Sequence, residues 1–330
     1  MTAYLTMSFN HFGAVQRWAS ETGAAATLDL RDFSMEVKHR GRYFRMYPMF
    51  RGNVQGRVVH LSQLTPDVVG FGGWRPYQTL THPHSSDKKL FKAWLQESGL
   101  ECPQGWDFTG APPAQDYVLK ERNGSFGRGL YGPFRGGSEP AEEAAQRALR
   151  GELFAEQFVP GRMVKVWYWG ARPFFAHVQD YPAITGDGRA SVRDLLERML
   201  GAAGLEWNRF EQKTLVLDCL AFQGLVLADV LDDGRSAWID YRYSQLYGPP
   251  KGPVAASDNQ LEDLLQASGD QCARLGHALA GLLRQTLPVP VVITVDGVLD
   301  ADGRIWWLEM NTNSLLPPEG YAAMFADLFA

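Results

Sequence analysis

The stretch Thr294-Val295-Asp296-Gly297-Val298-Leu299-Asp300-Ala301-Asp302-Gly303-Arg304-Ile305-Trp306-Trp307-Leu308-Glu309-Met310-Asn311-Thr312-Asn313 decides the reading of this chain. Two apolar runs flank Asp300-Ala301-Asp302-Gly303, a strong turn signal, so residues 291–311 read as a β-hairpin. Pairing Leu299 with Arg304 sets Asp296 opposite Trp307 and Thr294 opposite Glu309. Side chains alternate along a strand, so Asp296, Glu309 and Asn311 project from one face. Val295, Trp306, Leu308 and Met310 form the other face, suited to packing on a helix. Two carboxylates and an amide oxygen are hard ligands of the kind Mg2+ takes, with water and substrate phosphates filling its shell. For the two acids alone, a solvated sheet face is an equal reading.

Upstream, Leu261, Leu264, Leu265, Cys272, Leu275, Leu279, Leu282 and Leu283 mark one face of a long helix with a break near Gly269. Ser257 and Gln260 have capping-box spacing before it. Residues 213–230 read as two strand-like runs and 238–243 as another. Ser191 and Asp194 cap a helix over 192–200, after a turn at Gly186-Asp187-Gly188. Residues 164–169 and 174–178 read as paired strands around Gly170, 153–158 as a strand, and 139–149 as a helix.

Lys120 stands at a strand end before Asn123-Gly124-Ser125-Phe126-Gly127-Arg128-Gly129. A lysine there can reach a phosphate as a point charge, and glycines let backbone N–H groups approach the oxygens. Neither GxxxxGK[ST] nor GxGxxG is present, and a glycine-rich hairpin turn is the commoner explanation. Residues 86–99 read as a helix, with Leu90, Phe91, Trp94 and Leu95 at helical spacing and Lys88 near its start. In the first 85 residues, 4–9, 26–30 and 66–73 read as strands and 11–21 as a helix, a small α/β unit.

Composition bounds the function. The chain has 330 residues, room for about two domains. With 37 acids against 32 bases it lacks the basic field of a general nucleic-acid binder. Cys102, Cys219 and Cys272 form no CxxC pair, which fits free thiols in a reducing compartment. No apolar run reaches membrane-spanning length and no secretion signal is visible, so a cytoplasmic protein is expected. His82-Pro83-His84 reads as a loop, and most of the ten Trp as core.

Taken together these segments resemble the ATP-grasp superfamily. The carrying residues are Ser86-Asp87-Lys88 opening a helix, Lys120 before the glycine-rich loop, Ala155-Glu156-Gln157-Phe158-Val159-Pro160-Gly161, and Asp296 with Glu309-Met310-Asn311. Residues 294–313 are similar to the metal segment of D-alanine–D-alanine ligases. Residues 183–196 resemble cyanophycin synthetase and RimK-type glutamate ligases. The resemblance covers about residue 86 onward. It implies an α/β (α+β) ATP-grasp fold with a pre-ATP-grasp domain over 1–85 and an ATP-grasp domain over 86–330. Within the latter, a lid would occupy about 115–162 and a metal-binding subdomain about 163–330.

It further implies that Lys88 and Lys120 contact ATP phosphates beneath a lid carrying Ser125, Phe126 and Gly127. Glu156, Gln157, Phe158 and Val159 would form the hinge that reads adenine. Asp296, Glu309 and Asn311 would hold one or two Mg2+ ions, or Mn2+. Met163 stands where these ligases carry a ribose-binding acid, and Thr294 where RimK-like ligases carry an arginine. Lys165 stands at a phosphate-contacting position, and Arg242, then Arg189, are the candidates for the missing positive charge. The implied activity joins a carboxylate to an amine of an amino acid or peptide through an acylphosphate, releasing ADP and phosphate. An ATP-grasp-type kinase and a non-catalytic nucleotide-binding module are the rival readings. A homodimer is the expected state, without nucleic acid or membrane.

Overall fold

The computed structural model describes residues 2–55, 57–124, 129–243, 246–247, 258–287 and 290–330. Helix α1 (Thr2–Thr22) is followed by strands β1 (Ala25–Leu28), β2 (Met35–His39), β3 (Arg42–Val54), β4 (Arg57–Leu61) and β5 (Val68–Arg75). All pairings are antiparallel, in the order β1-β2-β3-β4 with β5 also on β3. Residues 4–9, expected as a strand, are helical. No glycine or proline separates them from 11–21, so the helix simply runs on. The expected α/β alternation is therefore one helix on an antiparallel sheet.

Helices α2 (Pro83–Ser86) and α3 (Lys88–Glu97) come next. Strands β6 (Gly105–Trp106), β7 (Tyr117–Glu121), β8 (Leu130–Phe134) and β9 (Leu153–Gln157) form a sheet in the order β6-β9-β7-β8. Helix α4 (Glu142–Leu149) backs it through Ala144 and Ala148, which pack with Tyr117 and Leu119. Val118 and Lys120 consequently face the other way.

Strands β10 (Arg162–Trp169) and β11 (Arg172–Gln179) lead to β12 (Ala183–Thr185), α5 (Val192–Ala202), α6 (Lys213–Phe222) and β13 (Ser236–Trp238). The expected capping box of Ser191 and Asp194 is formed. Residues 213–222 are helical, not strands. Leu215, Val216, Cys219 and Leu220 are the buried residues, and their i, i+1, i+4, i+5 spacing is a helical stripe. The strand expected over 238–243 stops at Trp238.

Helices α7 (Leu261–Ser268) and α8 (Gln271–Arg284) break at Gly269, whose φ of +64° suits glycine. The N-cap of α7 is Gln260, without a side-chain capping bond; Ser257 lies outside the described residues. Strands β14 (Val292–Leu299) and β15 (Ile305–Asn311) and helix α9 (Gly320–Leu328) complete the order.

The fold is α+β, and its centre is the antiparallel sheet β11-β10-β14-β15. Helices α3, α7 and α8 cover one face, burying Phe91, Leu264, Leu275 and Leu279 on Val164, Val166, Ile293 and Val295. The opposite face is divided along the strands. At one end Trp167, Trp169, Phe175 and Val292 pack with Trp74 of the N-terminal sheet and with Tyr321 and Phe325 of α9. At the other, Met163 and Val298 pack with Val159, Trp306 and Leu308. Between these apolar ends runs a polar band.

Candidate active site

The band is a row across three strands. Lys165 on β10 pairs with Asp296 on β14, which pairs with Glu309 on β15. Thr294 pairs with Asn311 one step along the same face. The hairpin register differs from the expectation by one. Leu299 pairs with Ile305, and a bulge at Leu308 then places Glu309 directly opposite Asp296 instead of diagonally. The extra residue also reassigns the faces. Ile305, Trp307 and Met310 enter the helix-side core, while Trp306 and Leu308 join the other side.

The row is closed by charge. Lys165 Nζ lies 2.6 Å from Asp296 Oδ1, and Lys88 Nζ lies 3.1 Å from Glu309 Oε2. Asp87 caps α3 by accepting from the N–H groups of Lys89 and Leu90, which fixes Lys88 at the helix start. Lys88 also donates to the Gly124 carbonyl, at the edge of the glycine-rich loop. Burial raises Asp296 to about 6, against the pull of Lys165. Burial would raise Glu309 too, but Lys88 and Lys120 hold it below the usual range. Asp296 therefore takes the first proton.

Lys120 donates to Glu156 Oε1 at 2.5 Å, and Lys92 Nζ lies 2.7 Å from Glu156 Oε2. All three are under a tenth exposed. Burial would favour neutral Glu156, yet the two ammonium groups hold its carboxyl below the usual range. Burial lowers Lys120, and Glu156 opposes this. Lys92 was not singled out from the sequence. Its spacing could have found it, because Lys88, Phe91, Lys92 and Leu95 lie at i, i+3, i+4, i+7 on α3.

The hinge candidates already have partners within the chain. Glu156 spends its carboxylate on two lysines, since it shares a sheet face with Lys120. The N–H groups of Gln157 and Phe158 donate to the carbonyls of Gln104 and Asp116. Phe158 packs against Phe222, Trp238 and Tyr241. Val159 lies in the apolar end of the band. A Cβ at Gly161 would sit 2.3 Å from the Leu299 carbonyl, so glycine lets the chain cross β14 here.

Arg242 is held by Asp240, at 3.0 and 2.7 Å from Nε and Nη2, and by Gln212. Arg189 sits in the Asp187 turn beside Asp194, Glu197 and Arg198. Among the described residues no bond joins Arg242 or Arg189 to Lys165, Asp296 or Glu309. Ser125, Phe126 and Gly127 lie outside the described residues.

The donor set suits a hard divalent cation. Two carboxylates supply oxygens on one face, the Asn311 amide beside them donates from Nδ2 to Asp296 Oδ2 at 3.4 Å and would have to turn to offer its oxygen, and two ammonium groups stand there as substitute cations. Among the described residues no cluster of three His, Cys, Asp or Glu side chains forms, so substrate oxygens and water would complete such a shell.

No protein-family model matches this chain, and no curated protein matches it. Among solved structures it is similar to a bifunctional glutathione synthetase from Pasteurella multocida, with 15% identity over 98% of this chain and 45% of that one, at a TM-score of 0.45. It is similar to a D-alanine–D-alanine ligase from Bacillus anthracis, with 15% identity over 74% of this chain and 64% of that one, at 0.38. It is also similar to the ATP-grasp ligase PsnB, solved with its minimal precursor, with 13% identity over 74% and 61%, at 0.35. The chain spans under half the length of the first and under two thirds of the others.

Proposed function

We propose that this chain is an ATP-dependent carboxylate–amine ligase of the ATP-grasp kind. One observation carries the reading: Lys88, Lys120 and Lys165, from three separate elements, converge on the two carboxylates of the Asp296–Glu309 row. Such a site concentrates positive charge around two acids. A polyphosphate with its divalent cation satisfies both signs at once.

The chain's residues then divide the work. Asp296, Glu309 and Asn311 would hold Mg2+, which neutralises charge on the transferring phosphoryl group. Lys88, Lys165 and Lys120 would turn from carboxylates to phosphate oxygens. A substrate carboxylate oxygen bonds to the γ-phosphorus as the bond to ADP breaks. The amine nitrogen then bonds to the acyl carbon, phosphate leaves with the electron pair, and the nitrogen loses a proton. The acylphosphate hydrolyses readily, so the site must exclude water while it exists.

The test is a thermal shift with ATP and Mg2+, followed by ADP release across pools of carboxylates and amines. An amide with stoichiometric ADP and phosphate is expected. A stable phosphorylated product would assign a kinase instead, and no response to MgATP would refute the reading.

A further inference from the structure

Arg75, at the end of β5, is 2% exposed, and no carboxylate partners it among the described residues. Its Nη1 donates to the Thr312 carbonyl at 3.4 Å and its Nη2 to the Ser314 carbonyl. Its Nε is buried with no partner. A buried cation met by two carbonyls and the Tyr77 hydroxyl, with no carboxylate and an idle donor, is costly unless an anion joins it. The neighbours add no such charge. Burial, then Arg75 itself, lowers His11 to about 3, and the same two causes lower His60. Tyr77 bonds Arg75 through its hydroxyl, which also accepts the Val292 N–H, but it brings a dipole and no negative charge.

The place matters as much as the charge. Residues 312–314 follow directly on Asn311. Thr294, paired with Asn311 and fully buried, bonds through its hydroxyl to Ser314. Arg75 thus stands at the end of the polar row, where the N-terminal sheet meets the central one. The long bond to Thr312 is the easiest to exchange. A planar guanidinium with a spare N–H matches a carboxylate's two oxygens, and the charge-assisted pair is stronger than a bond to a carbonyl.

We infer that Arg75 anchors the carboxylate of the acyl-donating substrate, between β5 and residues 312–314. This rests on the ligase reading, and it names the substrate's grip at that site. The N-terminal sheet would select the acid, while Lys88, Lys120 and Lys165 serve the nucleotide.

The experiment measures melting of the whole chain in sodium acetate against sodium chloride at equal ionic strength. Wild type is expected to gain about 2 °C in acetate. Arg75→Gln should lose that gain while keeping its shift with MgATP, which shows an intact nucleotide site. No acetate response in wild type, or an equal one in Arg75→Gln, overturns the proposal. Should Arg75→Gln not fold, Arg75→Lys decides: it keeps the charge without the fork, so a weakened response supports the anchor and an undiminished one overturns it. Triglycine against triglycinamide separates the sources. A gain with triglycine supports a peptide C-terminus, and a gain with acetate alone supports a small acid. If wild type ignores MgATP the ligase reading fails, and the acetate comparison still reports on Arg75.

Discussion

Asp296 and Glu309 face each other across two strands, yet their proton affinities move in opposite directions. Burial acts on both; the difference is that Lys88 and Lys120 favour the charged form of Glu309. Replacing Glu309 by Gln keeps the shape and removes the charge, so ADP release at saturating MgATP should fall at least about 100-fold with little change in melting. Lys92 makes a contrasting case. Lys92→Met leaves buried Glu156 with one ammonium instead of two, and urea unfolding should show a loss of about 2–3 kcal/mol. Single residues with a strand position and a charge were legible in the sequence. Asp296, Glu309 and Lys120 announce themselves beside turns. Lys92 and Arg75 do not, because a buried cation looks like a solvated one until its neighbours are known.

The hairpin β14–β15 shows what sequence resolves in an element and what it does not. Alternation and the Asp-Gly turn fix the two strands and the site face. They do not fix a bulge, and one extra residue at Leu308 exchanges Trp306 for Trp307 in the core. Helix α6 was misread because Leu, Val and Phe suit a strand as well, although its buried positions repeat at helical spacing. That helix carries Asp218, whose Oδ2 accepts the Gly132 N–H of β8 at 2.8 Å. Burial raises this carboxyl to about 6, above its ordinary 3.8. The folded protein therefore holds the proton more tightly than the unfolded one. Stability is expected to fall as pH rises from about 4 to about 6 and to stay lower above that. Asp218→Asn should flatten this segment of a stability–pH curve and gain about 1–2 kcal/mol at pH 7.5, a value reduced for the group's partial exposure.

At the scale of the molecule, the N-terminal sheet and α9 share one core with the central sheet. Trp74 is fully buried there, its main-chain N–H donating to the Tyr321 hydroxyl at 2.8 Å and its indole to the Phe33 carbonyl. Trp74→Ala should cost about 3–5 kcal/mol, and circular dichroism and tryptophan fluorescence should still trace one common transition. A separate early transition for the N-terminal sheet would contradict the shared core. Little of this was readable beforehand, since residues 15–74 and 316–329 meet only through the fold. The same closure sets a schedule for synthesis. A ribosome delivers the end of β5, at Arg75, 245 residues before α9 begins at Gly320. Until α9 emerges, Trp18 lacks the Phe325 ring that lies 4.4 Å from it, and the nascent sheet presents aromatic surface to solvent or to whatever shields it.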